Sequence, residues 1–419
     1  MRNNHPVAPF AYVFERFPAF SQTFCYREVA ELERQGVRPP IFSIRKPQDE
    51  PVQDWDERII ARVHYLPDEE ELADEVRRAI KGNKLSSGAI AAIEEWDKRT
   101  DFLRLYQAVH VGLRLRDLEI RHVHAHFAGL AARTAFWIAR FFDIGFSFTA
   151  HANDIFAPRQ FEIGLDRLVD LARAVVTVTD YGANFLKERF PGRAERICRI
   201  YNGVDLKQFE RAHFSGGPPL LVAIGRLIEK KGFGDLVRAC RALKEQGTPF
   251  RCEIIGEGPL AEALSHEIEQ LGLGRDVKLL GAKPQREIGQ HLAEAILFVL
   301  SSVQDPSGGM DNLPTVIMEA MATGLPVVST PIGGIPEMVV ENETGLLVGP
   351  GDSDALAAAL KTLIVDPALA RRLGEAGRKR ARDLFSIEKN VQDLLRLIEQ
   401  VAKDQIRNPK LEYRNKFKI

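Results

Sequence analysis

The residues best placed to do chemistry lie in two glycine-bearing segments of the second half of the chain. The first, GRLIEKKG at 225–232, follows a run with buried-strand character and precedes a helical pattern. Gly225, Arg226 and Lys231 therefore fall on a strand-to-helix turn, where backbone N–H groups and the helix dipole favour anions. An Arg fork plus a Lys point charge suits a diphosphate. The alternative is a surface turn with solvated cations, and the segment matches neither GxxxxGK[ST] nor GxGxxG. The second segment, SSVQDPSGGMDNLPTVIMEAMATGLPVVSTPIGGIPE at 301–337, sets Asp311 and Glu319 eight positions apart. Asn312, Leu313 and Pro314 open a helix that continues through Thr315, so Asp311 precedes the N-terminus and Glu319 lies more than a turn inside. Asp311 could simply cap that helix, and Glu319 could be a solvated helix position. However, Ile317, Met318, Ala320 and Met321 flank Glu319. A carboxylate in so apolar a helix needs a partner, which ribose hydroxyls would supply. Gly333, Gly334 and Glu337 follow the next strand.

A third group is His122, His124 and His126. Alternate residues of a strand share a face, so three imidazoles could converge on a metal. The strand is expected to end near His124 and no carboxylate sits at a matching spacing. Packed or cleft-lining histidines, and no metal, are therefore expected.

These side chains need elements to carry them. Apolar runs at 9–14, 38–44, 120–124, 146–150, 174–178 and 196–200 read as buried strands, as do 220–224, 250–255, 277–280, 296–300, 326–329 and 345–348. Helical patterns lie between them: Ser21–Gln35, with Ser21 as N-cap and Gly36 as C-cap signal, then 233–246, 259–271, 285–293, 314–323, 353–364 and 367–383. Alternating strand–helix units imply parallel sheets with right-handed crossovers, hence two doubly wound α/β domains. Ligands bind beyond the carboxyl ends of such strands, and the cleft between two such domains is the expected site. Of 24 phenylalanines, 18 lie at or before Phe209, and the turn-rich HFSGGPP at 213–219 follows that break. The division expected is 1–212, with a charged helical insertion at about 67–117, then 213–385. Residues 386–419 would form a C-terminal helix, able to return to the N-terminal domain, and a basic tail.

Composition narrows the function classes. The 419 residues carry 57 Lys plus Arg against 58 Asp plus Glu, a net charge of −1, which argues against a nucleic-acid binder. Four cysteines without a CxxC pair fit a reducing cytoplasm better than a zinc site or a disulfide framework. The longest apolar candidate, Thr134–Ala150, contains Arg140 and Asp143 and is no membrane span, and the N-terminus makes a poor signal peptide. The basic stretches 75–84 and 98–118 read as solvated helices over the N-terminal sheet, with peripheral contact to a membrane as the alternative.

In combination, these motifs resemble glycosyltransferase family 4, retaining nucleotide-sugar transferases of the GT-B fold. The family's acidic pair, with seven residues between, is followed by AMAxGxPVV and Gly-Gly-x-x-Glu, as at 311–337 here. FTAHANDIF at 148–156, YNGVD at 201–205, IIGEGPL at 254–260 and LLGAKP at 279–284 also match, and FERFPAFSQTFCYREVAEL is similar to a branch building exopolysaccharides of the colanic-acid type. The resemblance implies that Arg226 and Lys231 hold a donor diphosphate and Glu319 the ribose. It implies that Asp311 contacts the transferred sugar and that His151 faces it from the N-terminal domain. Gly256 and the stretch Asn312, Leu313, Pro314, Thr315 would complete the donor site, and His126 beside Phe127 could face the acceptor. Two departures stand out: Asp311 is one methylene shorter than the family's Glu, and FPAFSQTF replaces the Gly-Gly loop common after the first strand. The implied activity is metal-independent hexosyl transfer, without a cofactor, from a nucleoside diphosphate sugar to a saccharide or lipid-linked saccharide. The implied place is the cytoplasm, including the inner face of the plasma membrane. The rivals are an epimerase or phosphorylase on the same fold, and a non-catalytic nucleotide-sugar-binding protein.

Overall fold

The computed structural model describes residues 8–96, 99–157, 160–213 and 216–407. The N-terminal strands are β1 (Phe10–Arg16), β2 (Ile41–Arg45), β3 (Val63–Tyr65), β4 (His122–His126), β5 (Gly145–Ala150), β6 (Ala174–Thr177) and β7 (Ile197–Arg199). They form a seven-stranded parallel sheet in the order β3-β2-β1-β4-β5-β6-β7. The second half supplies β8 (Leu220–Ile224), β9 (Arg251–Ile255), β10 (Val277–Leu279), β11 (Leu297–Leu300), β12 (Val327–Ser329) and β13 (Gly345–Leu347). These make a six-stranded parallel sheet in the order β10-β9-β8-β11-β12-β13. Both are Rossmann-like, and their continuous apolar strands are what a sheet covered on both faces requires. Leu220–Ile224, for example, is buried at every position.

The strand order reverses between β1 and β4 in one sheet and between β8 and β11 in the other. Such switch points open a crevice at the strands' carboxyl ends. The segments 225–232 and 301–311 leave β8 and β11, so the second switch point gathers both.

Four local expectations are corrected. The first helix runs Thr23–Arg34, not from Ser21. Phe20–Gln22 form a 3-10 turn in which the Gln22 N–H bonds to Ala19 O, placing Ser21 inside the turn rather than at a helix entry. Strand β3 escaped notice because only Val63 of its three residues is buried, leaving no apolar pattern to read. Strand β4 continues to His126, since its imidazoles find partners in the interior. Finally, helix Leu103–Asp117, within the basic stretch 98–118, is a core helix rather than a solvated or membrane-facing one. Its Leu105, Ala108, Val109, Val111 and Leu115 are buried, and Glu75 accepts from both His110 and Arg114.

The chain crosses between domains twice, and the crossings pair: Val204 N–H bonds to Phe385 O, and Ile387 N–H to Val204 O. Tyr201, Val204 and Phe209 pack into the C-terminal core, ahead of the turn-rich 213–219, of which Phe214 and Ser215 lie outside the described residues. Helix Ile387–Arg407 returns to the N-terminal domain, where Val391, Leu394 and Ile398 pack with Tyr12, Cys25, Val29 and Leu32. The basic tail from Asn408 lies outside the described residues. Among those described, no helix is long and apolar enough to cross a membrane.

Candidate active site

A cleft of about 500 Å³ separates the domains at these carboxyl ends, with Phe20, Phe24 and Gln53 on one wall and Arg226, Lys231, Asp311 and Glu319 on the other. The cation-bearing turn is held by backbone: Gly225 N–H bonds to Ile255 O at the end of β9, and Leu227 N–H to Glu257 O. Gly232 closes it at φ +63°, and a Cβ there would stand 1.9 Å from Ser301 O. Only glycine allows this contact, which presses the Lys231 turn onto the end of β11.

There Lys231 Nζ donates to both Asp311 carboxylate oxygens at 2.8 Å, and Ser302 Oγ donates to Oδ2 at 2.7 Å. Asp311 is 7% exposed. Burial alone would push its carboxyl up, but Lys231, Ser302 and Lys230 outweigh it and hold the group below the usual carboxylate range. Lys230 is buried too, and its Nζ reaches Asn153 Oδ1 of the N-terminal domain at 3.1 Å. Burial lowers its pKa despite the nearby Asp311. Arg226 is exposed on the cleft wall.

Asp311 does not cap the helix Thr315–Thr323, whose N-cap, Pro314, makes no side-chain bond. Gly333 explains how its loop is held: at φ +54°, its Cβ would lie 2.2 Å from Asp311 O. The next residue, Gly334, donates its N–H to Asn312 O at 2.9 Å. Asn312 itself turns away from the cleft, its Oδ1 accepting from Thr179 Oγ1 at 2.7 Å across the domain interface. Glu337 completes that interface, accepting the free N–H groups of Asp180 and Tyr181 at 2.8 Å each and the Tyr201 hydroxyl at 3.0 Å. A carboxylate there satisfies orphan donors and the dipole of helix Asp180–Arg189.

Glu319 is 3% exposed, so it is no solvated helix position. The partner its apolar helix called for is an arginine: Arg27 Nη2 donates to Oε1 at 2.5 Å, and also to Gln285 Oε1 at 2.7 Å.

Thus Gly225, Arg226, Lys231, Gly256, Asp311, Leu313, Pro314, Thr315 and Glu319 share one cavity. Asn312 and His151 are not on its lining. The His151 ring is buried against Phe24 and Phe127, with centroids 4.8 and 4.4 Å away, and its Nε2 is 3.4 Å from His126 Nδ1. His126 is equally buried and bonds Glu28 Oε1 at 3.0 Å. The carboxylate absent from the local spacing thus arrives from helix Thr23–Arg34. Burial opposes charge on His126, but Cys25 and Glu28 outweigh it and push its pKa up to about 10. Burial instead pulls His122 down to about 3 and depresses His124 and His151. Convergence of the three on a metal is not the arrangement found: His122 and His124 share Ser147 Oγ at 2.8 Å each. Among the described residues no group of three metal-ligating side chains gathers.

Sequence reasoning passed over Arg27, Lys230 and Glu28. Lys230 was adjacent to a chosen lysine. Glu28 carried a signal, since Cys25, Val29 and Leu32 at helical spacing put it on the apolar face. Arg27 carried none, its partner lying 292 positions away.

Chemically, the cleft offers fixed cations, a buried carboxylate and helix N-terminal amides to an anionic, polyhydroxyl ligand. Comparison with known proteins agrees with that reading. Residues 21–208 match the glycosyltransferase family 4 model and residues 205–380 the model for glycosyl transferases group 1. The chain is 40% identical over 211 residues to the amylovoran biosynthesis glycosyltransferase AmsK of Erwinia amylovora, covering 50% of this chain and 52% of that one. It is 43% identical over 168 residues to the putative colanic acid biosynthesis glycosyltransferase WcaL of Escherichia coli, covering 40% and 41%. The chain thus matches about half or less of the length of these two relatives. It is 31% identical to glycogen synthase of Mycobacterium tuberculosis, over 66% of this chain and 69% of that one. Among solved structures, a Rickettsia africae glycosyltransferase superposes with a TM-score of 0.72 at 17% identity, covering 95% of this chain and 99% of its own. Anabaena HepE with UDP and glucose gives 0.71 at 18% identity, covering 94% and 100%. The fold is therefore GT-B, and the chain belongs to the family 4, group 1 glycosyltransferases.

Proposed function

We propose that this chain transfers a hexosyl group, with retention and without a metal, from a nucleoside diphosphate sugar to a saccharide or lipid-linked saccharide, in the building of a surface polysaccharide. The observation that carries this reading is the single cleft in which Arg226, Lys231, Asp311 and Glu319 meet at the carboxyl ends of β8 and β11. The names of AmsK and WcaL support the polysaccharide, and the UDP and glucose bound to HepE support the donor class.

In the proposed reaction the acceptor hydroxyl oxygen bonds to the anomeric carbon as the bond from that carbon to the diphosphate oxygen breaks. The acceptor proton leaves with the diphosphate, and the nucleophile enters on the leaving-group face. The barrier then depends on the charge growing on the departing oxygen, which Arg226, Lys231 and the N–H groups opening helix Thr315–Thr323 would stabilise. Glu319 would hold the ribose. Asp311 fixes Lys231 and, in this reading, lies beside the transferred sugar. The buried His151 is assigned no proton transfer; its packing supports Phe24 on the opposite wall.

Release of nucleoside diphosphate from a panel of sugar nucleotides tests the reading. Arg226→Ala should lower turnover by a factor of about 10² to 10³. Unchanged turnover would remove Arg226 from the diphosphate. Sugar phosphate released with no nucleotide present would instead indicate a phosphorylase, and nucleotide binding without turnover a non-catalytic protein.

A further inference from the structure

Behind the carboxylate assigned to the ribose lies a second interdomain cavity of about 520 Å³, and the wall between the two is made by Arg27, Gln285 and Glu319. Glu319 and Gln285 border the donor cleft, whereas Arg27 borders only the rear cavity. Arg27 therefore does not occupy the ribose position; it backs Glu319 from the other domain. The pair is dry, with side chains 6% and 4% exposed. Glu319 sits on a helix whose neighbours Ile317, Met318, Ala320 and Met321 are fully buried and apolar, so they offer it no polar partner. Arg27 is the sole charged group bonded to it among the described residues.

We infer that Arg27 is a positioning residue for the nucleoside. By holding Glu319 Oε1 with one nitrogen that also binds Gln285, it aims the remaining carboxylate oxygen at the ribose hydroxyls. Because Arg27 belongs to the N-terminal domain and Glu319 to the C-terminal one, the ribose site is complete only when the domains are closed. Reciprocity then requires the nucleoside to favour closure by the same factor. A second observation points the same way. Arg27 Nη1 and Gln285 Nε2 are buried without acceptors among the described residues. Unmet donors of this kind are costly, and a ribose seated on Glu319 brings hydroxyl oxygens toward Gln285, which borders the same cleft. Gln53 steadies the wall by accepting the Gln285 N–H at 3.0 Å.

This rests on the ribose assignment of Glu319, and the test separates the two. UDP, GDP and ADP, each beside its 2′,3′-dideoxy counterpart, are titrated calorimetrically into the full chain and into Arg27→Met, Arg27→Lys, Glu319→Gln and Arg27→Met/Glu319→Gln. For the nucleotide that binds, the wild type should prefer the ribose form by tenfold or more, as a charge-assisted hydrogen bond allows. Arg27→Met should bring that preference close to one, with the double variant no worse than either single. Arg27→Lys, which keeps charge but not the fork, should retain part of it. A merely structural role would weaken both forms equally and leave the preference intact. If Glu319→Gln abolishes the preference while both Arg27 variants keep it, the inference on Arg27 is wrong. If Glu319→Gln itself keeps it, the ribose assignment is wrong.

Discussion

Replacing Lys231 by Met should strand Asp311. The carboxylate is 7% exposed and accepts two bonds of 2.8 Å from Lys231, leaving Ser302 as its other hydrogen-bond donor. Two unit charges this close interact with on the order of 5 kcal/mol at an effective dielectric near 20. Removing one partner of a buried pair typically costs roughly 3 to 5 kcal/mol. The lower end applies here, because Lys230 lies near enough to stabilise Asp311 and both members of the pair line the cleft. About 3 kcal/mol is still a large share of a stability of roughly 5 to 15 kcal/mol. Asp311→Asn should cost less, since the amide keeps the Ser302 contact and the freed ammonium can turn to water. The double variant Lys231→Met/Asp311→Asn should be more stable than the two single costs added together, by at least about 1 kcal/mol. Urea denaturation with a shared m-value is the assay. Additivity within about 0.5 kcal/mol would show that the two side chains do not depend on each other. The pairing also changes what Asp311 variants should do to ligand: freeing Lys231 alters diphosphate affinity, so an effect on nucleotide binding is expected alongside any loss of transfer.

Three further outcomes follow from the same geometry. His126, raised to about 10 against an ordinary 6.5, should stabilise the fold below pH 6.5 and progressively less as pH rises, with a slope near 1.4 kcal/mol per unit between about pH 7 and 9. The depressed His122, His124 and His151 act below that range and the raised Cys25 above it, so a flat profile there, or one unchanged in Glu28→Gln, would refute the assignment. Glu337→Ala should cost about 0.5 to 2 kcal/mol as a lost cap and expand the molecule in solution scattering; an unchanged radius of gyration would mean the other interdomain bonds, among them Thr179–Asn312, Lys230–Asn153 and Arg27–Glu319, hold the interface without it. Gly333→Ala, whose Cβ meets Asp311 O at 2.2 Å, should lower turnover at least tenfold while the fold persists, and full turnover would show the loop can yield without moving Asp311.

Much of this was legible in sequence because parallel sheets write their strands plainly. Leu220–Ile224 and Leu297–Leu300 are unbroken apolar runs, and glycines at 232, 333 and 334 mark where loops must touch. The cation turn and the acidic helix were therefore readable as one end of one sheet. What escaped was set by contacts between distant segments. Nothing in the spacing of Arg27 announces Glu319, and Glu28 reaches His126 only because the first helix lies over β4. Glu319 was correctly judged to need a partner, but the physics that demands one does not say whether protein or ligand provides it. His151 misled for a related reason: it follows β5 at the strand ends where sheets of this kind take ligands, yet Phe24 and Phe127 cover its ring. Helix Leu103–Asp117 misled through its arginines: Arg114 and Arg116 reach the surface, while the apolar positions between them are buried.

One experiment bears most directly on the proposed reaction: proton NMR of the anomeric centre while the full chain, in EDTA, turns over sugar nucleotides. Nucleoside diphosphate should be released from at least one donor and the product should keep the donor's anomeric configuration. Both signals should be lost in Lys231→Ala. An inverted product, or turnover that disappears with EDTA and returns with one added metal, would contradict the mechanism drawn from this cleft.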